Sequence, residues 1–137
     1  MTDEERPDAS ERPGLLDTSV FIALESGGPH GTVPDTAAIS VVTLAELQLG
    51  VLMADDPAVR AQRLRTLSAV ESTFAALPVT EAVARTFAQL AAEARRAGRR
   101  PKIMDLWIAA TALANELDLY TQDRGFEAIP RVRVVYL

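Results

Sequence analysis

Gly14-Leu15-Leu16 is a run of three residues without a polar side chain, and Asp17 closes it. Ala37 to Val42 is a second short run, apolar and β-branched. Runs this short, bounded by turn residues, read as buried strands. Each gives way at once to helical spacing. Thr18 to Ser26 reads as a helix stopped by Gly27-Gly28-Pro29, with a loop from His30 to Thr36. Thr43 to Met53 carries Leu44, Leu47, Leu49, Val51 and Leu52, which suits a mostly buried helix. Short strands alternating with helices imply parallel pairing, because a parallel neighbour is reached only through a crossover. The expected fold class is α/β, with a central, mostly parallel sheet of four to five strands flanked by helices. Such sheets bind ligands at the carboxyl ends of their strands, near the point where strand order reverses.

The pattern continues to the end of the chain. Pro57 opens a helix that runs to about Phe74, with Val59, Leu64, Leu67 and Val70 at helical spacing. Leu77-Pro78-Val79 reads as an edge strand, limited by its proline. Thr80 and Glu81 start a helix holding Val83, Phe87, Leu90 and Ala94, which stops at Gly98 after Arg95 and Arg96. Ile103 to Leu117 is helical, with Ile103, Trp107, Ala110, Leu113 and Leu117 on one face. Leu119-Tyr120-Thr121 is a strand, Asp123-Arg124-Gly125 a turn, and Val132 to Leu137 a last strand.

At 137 residues the chain suits one domain with a sizeable core. Residues 1–13 hold five acids and two prolines and read as a disordered acidic tail, leaving 14–137 as the folded unit. The tail has no apolar core segment, so it is not a secretory signal. No stretch is long and apolar enough to span a membrane. The absence of cysteine excludes a disulfide framework, a zinc knuckle and a thiol nucleophile, and fits a reducing cytoplasm. A net charge of -5 argues against nucleic-acid binding driven by overall charge. The charge is uneven, however. Residues 1–60 hold three arginines against eleven acids, whereas 61–137 hold eleven of the 14 basic residues and eight of the 19 acids.

Four acids stand where chemistry could use them. Asp17 ends the first strand, and Asp123 lies just past the Leu119–Thr121 strand. Both project into one crevice if those strands are parallel neighbours. Asp105 sits in the first turn of an apolar helix, and Glu46 interrupts LAELQLGV. Singly, each has an ordinary structural role: Asp17 as a helix cap, Asp105 opposite a helix dipole, Asp123 in a turn, Glu46 in solvent. Gathered together they would repel and raise one another's pKa, a penalty that a hard divalent cation reverses. A carboxylate-held metal can activate water and stabilise charge on a phosphate. Other chemistries lack their parts. His30 is the single histidine and lies in a Gly/Pro loop, so neither a histidine acid–base pair nor a Ser–His–Asp hydrolase is supplied. Neither phosphate-binding glycine loop occurs.

LLDTSVFIAL, ISVVTLAELQLG, MDLWIAATALA and LYTQDRGF, in that order, resemble the PIN-domain ribonucleases, and most closely the VapC-type toxins of bacterial toxin–antitoxin pairs. The resemblance spans about residues 14–137. It implies a PIN-like three-layer sandwich, one or two Mg²⁺ or Mn²⁺ ions, and endonucleolytic RNA cleavage leaving a 5′-phosphate and a 3′-hydroxyl. Asp17, Glu46, Asp105 and Asp123 match the family's acidic positions. Asp17 and Asp105 would touch metal directly, with Glu46 and Asp123 completing its surroundings. Thr121, Thr18 and Ser19 match hydroxyl positions that would orient the carboxylates. A cognate antitoxin that inserts an arginine or a helix, a homodimer and a cytoplasmic location are further implications, with no membrane association. The 13-residue tail departs from a family that often begins almost at the first strand.

The stretch RRAGRRPK brings Arg95, Arg96, Arg99, Arg100 and Lys102 up to Asp105. These cations are either RNA contacts at the mouth of the crevice or a solvated helix end. Two other readings compete with the nuclease. One is a non-catalytic PIN-like interaction module. The other is a phospho-aspartate signalling domain, which needs a lysine at a later strand end, whereas Lys102 precedes a helix.

Overall fold

The computed structural model describes residues 12–29 and 31–137. His30 and all but the last two residues of the expected tail lie outside the described residues. In chain order the elements are β1 (Gly14–Leu16), α1 (Thr18–Glu25), β2 (Ala37–Ser40), α2 (Val41–Met53), α3 (Pro57–Thr73), β3 (Ala76–Leu77), α4 (Glu81–Arg96), α5 (Ile103–Ala114), β4 (Asp118–Thr121) and β5 (Val134–Tyr136). A 3₁₀ turn, Arg124–Ala128, joins the last two strands. The sheet order is β3-β2-β1-β4-β5, and every pairing is parallel. Chain order runs outward from β1 in both directions, so the reversal of strand order falls between β1 and β4. Leu15 pairs with Leu119 and Leu16 with Tyr120 across that junction.

Strands buried on both faces need apolar residues at successive positions. Leu15 and Leu119 face one core with Val83 and Leu90 of α4, Leu106 and Ile108 of α5, and Phe126. Leu16, Ile39 and Tyr120 face the other, with Phe21 of α1, Leu47 and Val51 of α2, and Leu67 and Val70 of α3. The result is the expected three-layer α/β arrangement. Each fully buried side chain of this kind contributes about 1.5–3 kcal/mol. Gly14 starts β1 because the Tyr120 ring lies against it: a Cβ there would stand 2.6 Å from Tyr120 Cε2.

Several element limits differ from the sequence reading, each for a local reason. β2 stops at Ser40 rather than Val42, since the Ser40 hydroxyl accepts from Val42 N–H at 3.0 Å and starts α2 two residues early. α5 ends at Ala114 rather than Leu117. Glu116 adopts a positive φ of 57° and Leu117 N–H reaches back to Ala112 O at 2.9 Å, a left-handed stop made without the usual glycine. β3 covers Ala76–Leu77 and is an edge strand, as Pro78 requires. α2 and α5 also present other stripes than expected, and α3 buries only part of its expected one. On α2, Leu49 and Leu52 are exposed while Thr43, Leu47 and Val51 are buried. On α3, Val59 and Leu64 are exposed and only Leu67 and Val70 are buried. On α5 the buried set is Asp105, Leu106, Ile108 and Ala109–Ala112, and Ile103 is exposed. Apolar spacing alone does not fix which stripe of a nearly all-apolar helix faces inward. Among the described residues no helix is long and apolar enough to cross a membrane.

Candidate active site

Asp17 comes straight off β1, at the carboxyl end of the strand beside the reversal point. Its backbone N–H donates to Tyr120 O at 2.9 Å, which extends the pairing of β1 with β4 by one residue. Its side chain caps α1, Oδ2 accepting from Ser19 N–H at 3.3 Å. Capping α1 and lining the cleft therefore coexist in one residue. The same Oδ2 accepts from the Thr121 hydroxyl at 2.9 Å. Thr121 in turn accepts from Asp123 N–H at 2.9 Å and stands 3.1 Å from Ser19 Oγ. Ser19 Oγ accepts from Gln122 N–H at 2.9 Å. Each hydroxyl has one proton, so the direction is fixed: Gln122 N–H to Ser19, Ser19 to Thr121, Thr121 to the Asp17 carboxylate.

Glu46 reaches the same place from α2. The Thr18 hydroxyl donates to its Oε1 at 2.7 Å and lies 3.1 Å from Thr43 Oγ1. Asp123 leads the 3₁₀ turn, its Oδ1 accepting from Gly125 N–H at 2.7 Å. Asp105 enters from the first turn of α5 and is only 7% exposed. Its Oδ2 is buried and has no hydrogen-bond partner. Asp17, Thr18, Ser19, Glu46, Asp105 and Asp123 line one cleft of about 320 Å³.

Like charges crowd this cleft, and the carboxyl groups respond. Burial, then the charges of Asp17, Asp123 and Glu46, push Asp105 up from 3.8 to about 6, with Lys102 opposing. Burial and the Asp17 charge raise Glu46, while the Thr18 hydrogen bond and Lys102 hold it down. A buried carboxylate oxygen with no donor, among three further acids, is a set of hard oxygen groups short of a positive partner. The donors suit Mg²⁺ or Mn²⁺. They form a shared cleft and not a closed shell: among the described residues no three acidic or histidine side chains are grouped so as to hold an ion as they stand.

The basic stretch divides. Lys102 lines the acidic cleft. Arg95, Arg99 and Arg100 line a separate groove with Ile103 at its edge, and Arg99 donates to Glu127 O at 3.2 Å. Arg96 is exposed on the last turn of α4 and lines neither. Two residues of the site escaped the sequence reading. Thr43 is fully buried and stands three places before Glu46, so helical spacing could have put it beside that acid. Gly125 reads as a turn residue, yet a Cβ there would stand 3.0 Å from Asp123 Oδ1 and 3.4 Å from Asp105 Oδ2.

The PIN domain family profile matches residues 14–132. The chain belongs to the PIN-domain family. It is 49% identical over 118 residues to Ribonuclease VapC5 of Mycobacterium tuberculosis (strain ATCC 25618 / H37Rv), covering 85% of this chain and 87% of that protein. To Ribonuclease VapC4 of the same strain it is 42% identical over 126 residues, covering 90% and 96%. Among solved structures, it resembles the VapBC-5 toxin–antitoxin structure from Mycobacterium tuberculosis with a TM-score of 0.83 and 44% identity, over 92% of this chain and 99% of that one. Against DNA-bound VapBC from Salmonella typhimurium the TM-score is 0.77 at 26% identity, over 90% and 97%.

Proposed function

We propose that this PIN-domain protein is a divalent-metal-dependent endoribonuclease, the toxin of a toxin–antitoxin pair, with residues 14–137 as one catalytic unit. The observation that carries the reading is the unpartnered Asp105 Oδ2, buried in a cleft that three other carboxylates enter. Relatives called ribonuclease along most of their length support the activity. Asp17 and Asp105 would hold Mg²⁺ or Mn²⁺ directly, and Glu46 and Asp123 would complete the set. The bound ion would supply an activated water and a counter-charge for the phosphate. The chain's own hydroxyls and backbone do the positioning. Thr121 keeps Asp17 Oδ2 on its donor, Thr18 fixes Glu46, and the Gly125 N–H fixes Asp123. Arg95, Arg99 and Arg100 would hold RNA phosphates beyond the cleft, with Arg96 the weakest candidate by position. The products would carry a 5′-phosphate and a 3′-hydroxyl.

The same reading includes a VapB-type antitoxin, a homodimer and a cytoplasmic location. The antitoxin alone has physical support in the fold, an apolar groove lined by Ile22, Leu49 and Met53, which meets the acidic cleft at Thr18, Ile22 and Glu46. A partner segment lying in that groove would reach the carboxylates, where an arginine would find them.

Asp17→Asn tests the activity. With Mn²⁺ present, RNA cleavage should fall by about a hundredfold or more while circular dichroism stays unchanged. Undiminished cleavage by a folded variant rejects the assignment. Mn²⁺ titration by calorimetry separates an enzyme from a module that only binds partners, since the module would give no heat.

A further inference from the structure

A phosphodiester is an anion, and this cleft already holds four carboxylates. A divalent ion offsets part of that charge, but the phosphate still needs a cation that is not committed elsewhere. Thirteen of the 14 basic residues are arginines, and Lys102 is the lone lysine. Of the five cations leading to Asp105, it alone lines the cleft. It stands at the N-terminal boundary of α5, directly after Pro101. Among the described residues its exposed ammonium closes no ion pair. It nonetheless acts on Glu46 and Asp105 through space, favouring the ionised form of both. An ammonium on a flexible stem, with no ion pair of its own, is a point charge that can move from a carboxylate to a phosphate.

We propose that Lys102 is the substrate-phosphate residue of this cleft: its ammonium faces the carboxylates in the free protein and turns to hold a phosphodiester of the RNA when substrate enters. The inference rests on the nuclease reading above and adds a division of labour to it. The acids serve the metal, and Lys102 serves the strand. Removing Lys102 should therefore impair RNA handling without impairing divalent-ion binding. Loss of a repelling cation should leave Mn²⁺ affinity equal or tighter.

The test compares the wild-type chain with Lys102→Gln and Lys102→Arg. Total cellular RNA in Mn²⁺ is the cleavage substrate, over a range of RNA and salt concentrations. Calorimetric Mn²⁺ titration without RNA is the second readout. Lys102→Gln should lower kcat/KM by about tenfold or more, chiefly through KM, as expected for a charge-assisted hydrogen bond. It should flatten the log–log salt dependence of KM by about one. Lys102→Arg should retain most of the activity. Mn²⁺ affinity should not weaken in Lys102→Gln. Wild-type cleavage by Lys102→Gln overturns this inference alone. So does an arginine variant as weak as the glutamine one, or Mn²⁺ binding that weakens in step with cleavage, either of which makes the residue structural. A wild-type chain that cuts no RNA overturns the nuclease reading and this inference with it.

Discussion

Thr121 shows how much one hydroxyl can organise. It is fully buried, donates to Asp17, accepts from Asp123 N–H, and stands within hydrogen-bond reach of Ser19. Thr121→Val keeps the shape and deletes all three links. Stability should fall by about 1–3 kcal/mol in urea denaturation, the usual effect of leaving buried polar groups unmet. Mn²⁺ affinity should fall by about ten- to a hundredfold in calorimetry, the usual effect of losing a ligand's orienting partner. Gly125 makes the complementary case, since what matters there is a missing atom. Gly125→Ala would bring a methyl to 3.0 Å from Asp123 Oδ1. Its φ is not in the left-handed range, so the effect is crowding and not backbone strain. Mn²⁺ binding should weaken while the melting temperature moves little, and equal losses in both would point to general damage.

At the level of elements, Glu116 ends α5 in a left-handed conformation that disfavours a side chain. Glu116→Gly should stabilise the chain by about 1 kcal/mol, less the entropy that glycine adds to the unfolded state, as read from the urea midpoint. The residue was not recognisable as a helix stop, because no glycine or asparagine occupies it. Leu117 then looked like one more apolar position of the same helix. The strands were readable for the opposite reason. Gly14–Leu16 and Leu119–Tyr120 are short and apolar, each runs straight into a polar residue, and the sheet buries them on both faces. Parallel order then brings Asp17 and Asp123 together without further information. Glu46 and Asp105 needed more, since an acid within an apolar helix can face either way. The orientation of α5 was missed on the same ground: ten of the twelve residues from Ile103 to Ala114 are apolar, so periodicity could not choose between Trp107 and Ile108 as the inward side chain. The tertiary partners decide. Ile108 fills the core, and Trp107 stacks on Phe87 of α4 at 3.8 Å between ring centres.

Across the whole molecule, the clustered acids tie stability to pH. Between 3.8 and about 6 the folded chain keeps a proton on Asp105 that the unfolded chain has released. The stability this group contributes is complete below 3.8 and is lost as pH rises through about 6. Glu46, also raised, acts in the same direction. For the metal-free protein, these two groups should lower the melting temperature as pH is taken from about 5 to about 7. Added Mn²⁺ should restore it, and by more near pH 7, because the ion needs the deprotonated carboxyl. A thermal-shift series at both pH values, with and without Mn²⁺, checks this; a larger Mn²⁺ effect at the lower pH would contradict it. The Thr121–Asp17 bond has a different consequence, because its partners lie 104 positions apart in the chain. Asp17 is made first, and the hydroxyl that orients it belongs to β4. A growing polypeptide therefore cannot assemble the cleft until the ribosome has passed Thr121 and Asp123, and until then the earlier carboxylates wait without the partners that aim them.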